Sequence, residues 1–378
     1  MNKSILVLAP FLNLNGINRP AFMSRILSEF GSVDVVTTDF DHLTKNKKNQ
    51  IQCDYIQNIF YLKTLSYHNN ISIKRMLSHI FFSFSAILFF LQRKNKYEII
   101  YVSVPFNLLS YLVCLFAQTK HVIIDIIDIW PDVLPFPRII LLSTYPIMVL
   151  WKYFFIKSIK KCNTLIAVSD YFLDEGLKYF KKNKRSARRF YIGADDFPTL
   201  QIKKAEIKTI VYVGNIGTIY DFDTLIKALS IQDIINDWQI FIIGDGDRRD
   251  WLISELTTRG IAHRYFGVIY DPITLASILH QVHIGFNGYT TKTSAAFSYK
   301  ANTYMAAGLP IINSMQGDLH HIVDEYEVGF NYKPGNVGEL VQKLKTLDHN
   351  QLEHYSGKAK EFFNNELKRT KLNKDIRE

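Results

Sequence analysis

A chain of 378 residues is longer than one ordinary domain and suits two. Apolar residues make up 48% and charged residues 21%, which excludes a disordered chain; aromatic residues reach 14%. Cys53, Cys114 and Cys162 stand far apart, which excludes a disulfide scaffold and points to a reducing compartment. The net charge of +10 is unevenly placed. Through Ile192 there are 25 Lys and Arg against 12 Asp and Glu, and from Gly193 onward 20 against 23. The whole positive excess thus lies in the first half, which suits an anionic partner such as lipid headgroups or nucleic acid, or a merely solvated basic surface.

In chain order, short β-branched runs alternate with helix-period segments, the signature of parallel sheets built from βαβ units. The N-terminal run Ile5–Ala9 is too short for the apolar stretch of a signal peptide, and Ser4–Ala9 reads as a first strand. A loop holding Gly16, a helix near Pro20–Phe30 and a strand at Val33–Thr37 follow. Met76–Leu91 is strongly apolar but falls short of the ~20 residues that span a bilayer. Strands are expected at Glu98–Val102, His121–Ile127 and Thr164–Ser169, with an apolar helix at Phe106–Gln118 between the first two. Arg138–Ile156 is again apolar and is followed by a run of lysines and arginines. Apolar helices beside basic clusters suit a protein lying on an anionic membrane without crossing it; equally, both helices can pack on the first sheet.

Thr199–Lys208 is polar and unpatterned, as a linker is, and beyond it the alternation restarts at Ile210–Val213, Gln239–Ile243, His263–Phe266, Ile284–Asn287 and Pro310–Asn313. The expected fold is α/β, with two Rossmann-like domains over 1–195 and 205–350 and a ligand in the cleft between them. Residues 351–378 form a C-terminal helix and tail able to pack back on the first domain.

Glycines at strand-to-helix turns let a backbone approach phosphate, and the following helix offers free N–H groups. Gly214-Asn-Ile-Gly217-Thr218 and Gly244-Asp-Gly-Asp247 sit at such turns, although either can be an ordinary tight turn. The most informative stretch is Ser298-Tyr-Lys300-Ala-Asn-Thr303-Tyr304-Met-Ala-Ala-Gly308-Leu-Pro310, a helix entered at Ser298 and closed by Gly308. Helix N-termini favour anions, so Lys300 in the first turn makes sense beside a bound diphosphate, or else as an exposed lysine with its stem on the surface.

These motifs, with Phe266-Gly-Val268, resemble in order and spacing the C-terminal domain of retaining GT-B glycosyltransferases of family four, which build capsules, O-antigens and exopolysaccharides. The likeness spans about Ile210 to Tyr332, and Gly16 and Asp125-Ile-Ile-Asp128-Ile-Trp-Pro agree with the acceptor side. The resemblance implies a nucleotide-diphosphate sugar as donor and no cofactor or metal. Its diphosphate would lie by Gly217, Thr218 and Lys300, and its base by Phe266 and Val268, with Gly244 also on the donor side. Ribose or sugar would lie by Ser298, Thr303 and Tyr304. Asp125 and Gly16 would serve the acceptor, and Asp128 would position it or act as base. The acceptor would be a polyprenyl-diphosphate-linked saccharide, met at the inner face of the cell membrane, with no nucleic acid involved.

The sequence departs from the family where two glutamates eight positions apart are common: Ala295 and Thr303 stand there, and the cation pair often found after the second domain's first strand is missing. A variant donor site, a catalytically silent GT-B partner subunit and a sugar-nucleotide epimerase therefore remain open readings.

Overall fold

Runs such as Ile5–Leu8 and Ile240–Ile243 are buried almost completely, as strands covered on both faces of a parallel sheet must be. The computed structural model describes residues 3–14, 18–42, 44–50, 52–69, 72–129, 138–191, 193–194, 196–291 and 297–369, the backbone alone for 138–145. The chain divides into two compact units, Met1–Phe190 and Tyr191–Glu378.

In the first unit the order is β1 (Lys3–Leu8), α1 (Arg19–Leu27), β2 (Gly31–Thr38), β3 (Asn58–Leu62), α2 (Ile73–Gln92), β4 (Ile99–Val104), α3 (Asn107–Phe116), β5 (His121–Ile126), α4 (Arg138–Lys161), β6 (Thr164–Ala167), α5 (Asp170–Leu177) and β7 (Ala187–Arg189). All strands are parallel, in the sheet order β3-β2-β1-β4-β5-β6-β7.

The second unit holds β8 (Lys208–Val213), α6 (Phe222–Leu229), β9 (Trp238–Ile243), α7 (Arg249–Thr258), β10 (His263–Tyr265), α8 (Pro272–Leu279) and β11 (Ile284–Asn287). It continues with α9 (Tyr299–Ala306), β12 (Ile311–Asn313), α10 (Asp318–Tyr326), β13 (Gly329–Asn331), α11 (Val337–Thr346) and α12 (His349–Phe362). Its parallel sheet runs β10-β9-β8-β11-β12-β13. Both orders reverse beside the first strand of the unit, and the crevice at the carboxyl ends of β8 and β11 is where such sheets bind ligands.

The α/β reading with two Rossmann-like bodies is therefore the observed fold. Three strands, β3, β7 and β13, lie outside the sequence expectation. Each is the edge of its sheet and short, three to five residues, with no run of β-branched residues. The linker is fastened to the second unit by Ala205 N–H to Gln281 O (2.8 Å) and by His280 to Pro198 O (2.8 Å). α12 packs on α9, α10 and β13 of that same unit.

Candidate functional site

Three glycine turns meet at the carboxyl ends of β8, β9 and β10. Gly214 N–H donates to Ile243 O (2.9 Å), Gly244 N–H to Gly267 O (2.7 Å) and Ile216 N–H to Asp245 O (2.9 Å). Gly244 has φ +132°, and a Cβ there would fall 1.9 Å from the carbonyl oxygen of Gly214. Only glycine allows the two turns to interlock so closely. Gly217 follows, its carbonyl accepting from Tyr220 N–H (3.3 Å), and Thr218 is exposed.

α9 enters beside these turns. Ser298 is its N-cap: the hydroxyl accepts from Ala301 N–H (3.2 Å) and donates to Asn287 Oδ1 (2.6 Å). Asn287 is the first rung of a buried amide ladder across the strand ends. Its Nδ2 donates to Asn313 Oδ1 (2.8 Å), and Asn313 Nδ2 donates to Asn331 Oδ1 (2.7 Å). The parallel register places these three asparagines directly opposite one another.

Lys300 does not reach for open solvent. Its ammonium lies 3.9 Å from the ring centre of Tyr220, 4.6 Å from that of Tyr289 and 5.5 Å from that of Tyr212, and donates to the Tyr289 hydroxyl (2.9 Å). Burial pulls its pKa down to about 7. The same enclosure raises the phenols of Tyr220 and Tyr289 above their usual range. Lys300 also runs under the first glycine turn, where a Cβ on Gly214 would lie 3.5 Å from Lys300 Cδ. Two buried polar groups near this α9 entrance have no hydrogen-bond partner among the described residues: the Thr290 hydroxyl and both amide atoms of Asn302. Orphans of this kind are rare in a finished core.

The remaining expected donor residues separate. Tyr304 is a correction: it is fully buried, accepts from Val213 N–H (2.9 Å) and donates to Phe286 O (3.3 Å), bolting β8 to β11 instead of facing a ligand. Its ring fits because Gly285 leaves the space; a Cβ there would be 2.3 Å away. Ser298 likewise spends its hydroxyl on capping. Thr303 is half-buried and returns a hydrogen bond to Tyr299 O (3.1 Å). Phe266 packs on Phe241 with ring centres 5.3 Å apart and lies under Arg264, while Val268 is about half exposed. Ala295 lies outside the described residues.

In the first unit Asp125 is also corrected. It is fully buried in a two-point ion pair with Arg19, Nε to Oδ2 at 2.7 Å and Nη2 to Oδ1 at 3.1 Å, and Tyr101 donates to it at 2.5 Å. These partners consume its carboxylate, so it ties α1 to the sheet and presents nothing to an acceptor. Asp128, just past β5, is half-buried; its Oδ1 accepts from Ile129 N–H (3.0 Å) and its charge is felt by Arg75. Gly16 lies outside the described residues.

Sequence reading missed the tyrosine cage of Tyr212, Tyr220 and Tyr289 and the asparagine ladder. The ladder left a trace: Asn287, Asn313 and Asn331 each end a strand. The cage left none, because its members come from three separate segments.

The family model described as glycosyl transferases group 1 matches residues 197–368. Sulfoquinovosyl transferase SQD2 of Arabidopsis thaliana is 26% identical over 146 residues, which cover 38% of this chain and 27% of that protein. The chain thus spans about a quarter of that relative's length. Among solved structures, sucrose-phosphate synthase from Thermosynechococcus elongatus superposes with a TM-score of 0.72 at 14% identity, over 99% of this chain and 97% of the other. HepE of Anabaena, solved in complex with UDP and glucose, gives 0.66 at 14% identity, over 100% and 98%. The second unit therefore carries the sequence pattern of group 1 glycosyltransferases, in a chain whose two Rossmann-like bodies have the fold of GT-B glycosyltransferases.

Proposed function

We propose that the chain transfers a sugar from a nucleotide-diphosphate sugar to a saccharide acceptor. The observation that carries this reading is the meeting of interlocked glycine turns, a capped helix N-terminus and an enclosed lysine at the switch point of the second sheet. The unit in which they meet is the one that matches the group 1 model. Backbone amides at Gly217 and the exposed Thr218, with the Lys300 ammonium, would hold the diphosphate; the Phe266–Val268 backbone would hold the base. As the C1–O bond to the diphosphate breaks, the developing charge is met by these donors, and the acceptor oxygen forms the new bond to C1. The acceptor proton passes to a donor phosphate oxygen, with retained configuration and no metal, and Asp128 orients the acceptor. The basic first half supports a lipid-linked acceptor, a polyprenyl-diphosphate saccharide of surface-polysaccharide synthesis, met by a peripheral enzyme at the inner membrane face.

HepE was solved with UDP, so UDP is the first nucleotide to try. The test is a melting-temperature screen of nucleoside diphosphates, followed by donor turnover for the protein and for Lys300→Ala. UDP or a related diphosphate should raise the melting temperature, and the substitution should lower turnover by roughly a hundredfold, as loss of one charge-stabilising donor does. An unchanged rate removes Lys300 from the site. The missing carboxylate at Thr303 favours a second reading, a silent partner subunit, which would bind none of the nucleotides.

A further inference from the structure

We infer that α2 is a membrane-docking surface that lies in the plane of an anionic bilayer. One side of this helix is finished core: Phe82, Ala86, Ile87 and Phe90 are buried, and the helix packs on β3 and α3. The other side should then be polar, and it is not. Ile73, Leu77, Phe81, Phe84, Leu88 and Leu91 are all exposed, from 38% at Leu91 to 73% at Ile73. Steps of three and four residues put them on one stripe, which at 1.5 Å per residue runs about 27 Å. Isolated exposed apolar residues are ordinary; a continuous stripe of this length marks a partner surface.

The charges say which partner. From Tyr55 to Tyr97 there is not one Asp or Glu, whereas Lys63, Lys74, Arg75, Arg93, Lys94 and Lys96 all fall there. Lys74 stands at the entrance of the stripe and Arg93 and Lys94 at its exit. A second copy of the chain, laid parallel or antiparallel on the stripe, would bring Lys74, Arg93 and Lys94 of the two copies together; no carboxylate lies within α2, and Asp34 is already paired to Lys96. An anionic lipid surface accepts the apolar stripe and is attracted by Lys74, Arg93 and Lys94 at its ends. α2 is longer than the apolar run Met76–Leu91 led one to expect: with 20 residues it is, by length and composition, able to span a bilayer. Its buried face is held by the body of the first unit, so the helix rests at the interface and does not cross.

This inference deepens the membrane partner of the proposed function but stands on α2 alone. The test is flotation of the full-length protein with vesicles of phosphatidylcholine, and with vesicles that also contain phosphatidylglycerol. The parent chain should float with the second kind only. The triple variant Phe81→Glu/Phe84→Glu/Leu88→Glu should lose roughly a hundredfold or more of its partition, since each buried apolar side chain is worth about tenfold. Its UDP-induced melting shift reports folding independently. A second variant, Phe84→Trp, should show blue-shifted emission on anionic vesicles. Failure of the parent to bind, or equal flotation of the folded triple variant, overturns the inference. So does a solution dimer that the triple variant splits while vesicle binding is kept. If vesicles bind but no nucleotide does, the transferase reading falls and the docking surface stands.

Discussion

Lys300 stands in the first turn of α9, at the helix end that favours anions. A lysine in a helix's first turn reads as a counter-ion for an anion, yet its ammonium is held by three aromatic faces and a phenol. Cation–π contact and one hydrogen bond do not replace full hydration, which is why its pKa falls to about 7. Between that value and the ordinary lysine range the unfolded chain binds more protons than the native one, so folding stability rises with pH across that window. A bound diphosphate restores the charge, so its binding takes up a proton there. UDP affinity should therefore fall as pH rises from about 7 to 9, and Lys300→Met should flatten that profile; titration calorimetry in buffers of different ionisation enthalpy checks it. Asp125 is the opposite lesson, an acidic residue in a suggestive stretch that the fold spends on packing. Arg19→Met should destabilise the first unit by about 3–5 kcal/mol, because it strands a buried carboxylate; urea unfolding measures this.

At the scale of elements, what holds the candidate site is the contact between turns and the ladder between strand ends. Gly244→Ala places a methyl carbon against the Gly214 carbonyl at a backbone angle that disfavours any side chain. It should cost about 2 kcal/mol or more and abolish the nucleotide-induced melting shift. Asn287→Ala removes the acceptor of the Ser298 hydroxyl and leaves Asn313 short of a donor. A loss of about 1–3 kcal/mol is expected, with weaker nucleotide binding because the entrance of α9 loosens; thermal unfolding with and without UDP separates the two effects. The strands most open to sequence reading were the central ones, such as β1, β8 and β11, whose burial on both faces writes a β-branched run. β3, β7 and β13 were not legible, since an edge strand needs apolar residues on fewer sides.

Across the whole molecule the charge asymmetry sets the expected behaviour. With all the excess cations in the first half, attraction to anionic vesicles should weaken as salt rises from about 0.05 to 0.5 M and the screening length shrinks. The apolar stripe of α2 is indifferent to screening, so a residual affinity should survive; flotation at both salt levels checks this. Composition and periodicity by themselves determined the α/β class, two Rossmann-like bodies, the sites of the glycine turns and the helix at Ser298, because those features are written in local spacing and in turn chemistry. Tertiary structure alone decided that Tyr304 is a bolt, that Asp125 is consumed by Arg19, and that Lys300 sits in a cage of tyrosines from three segments. Such partners are distant in the chain, and only folding brings them within hydrogen-bonding and ring-contact range.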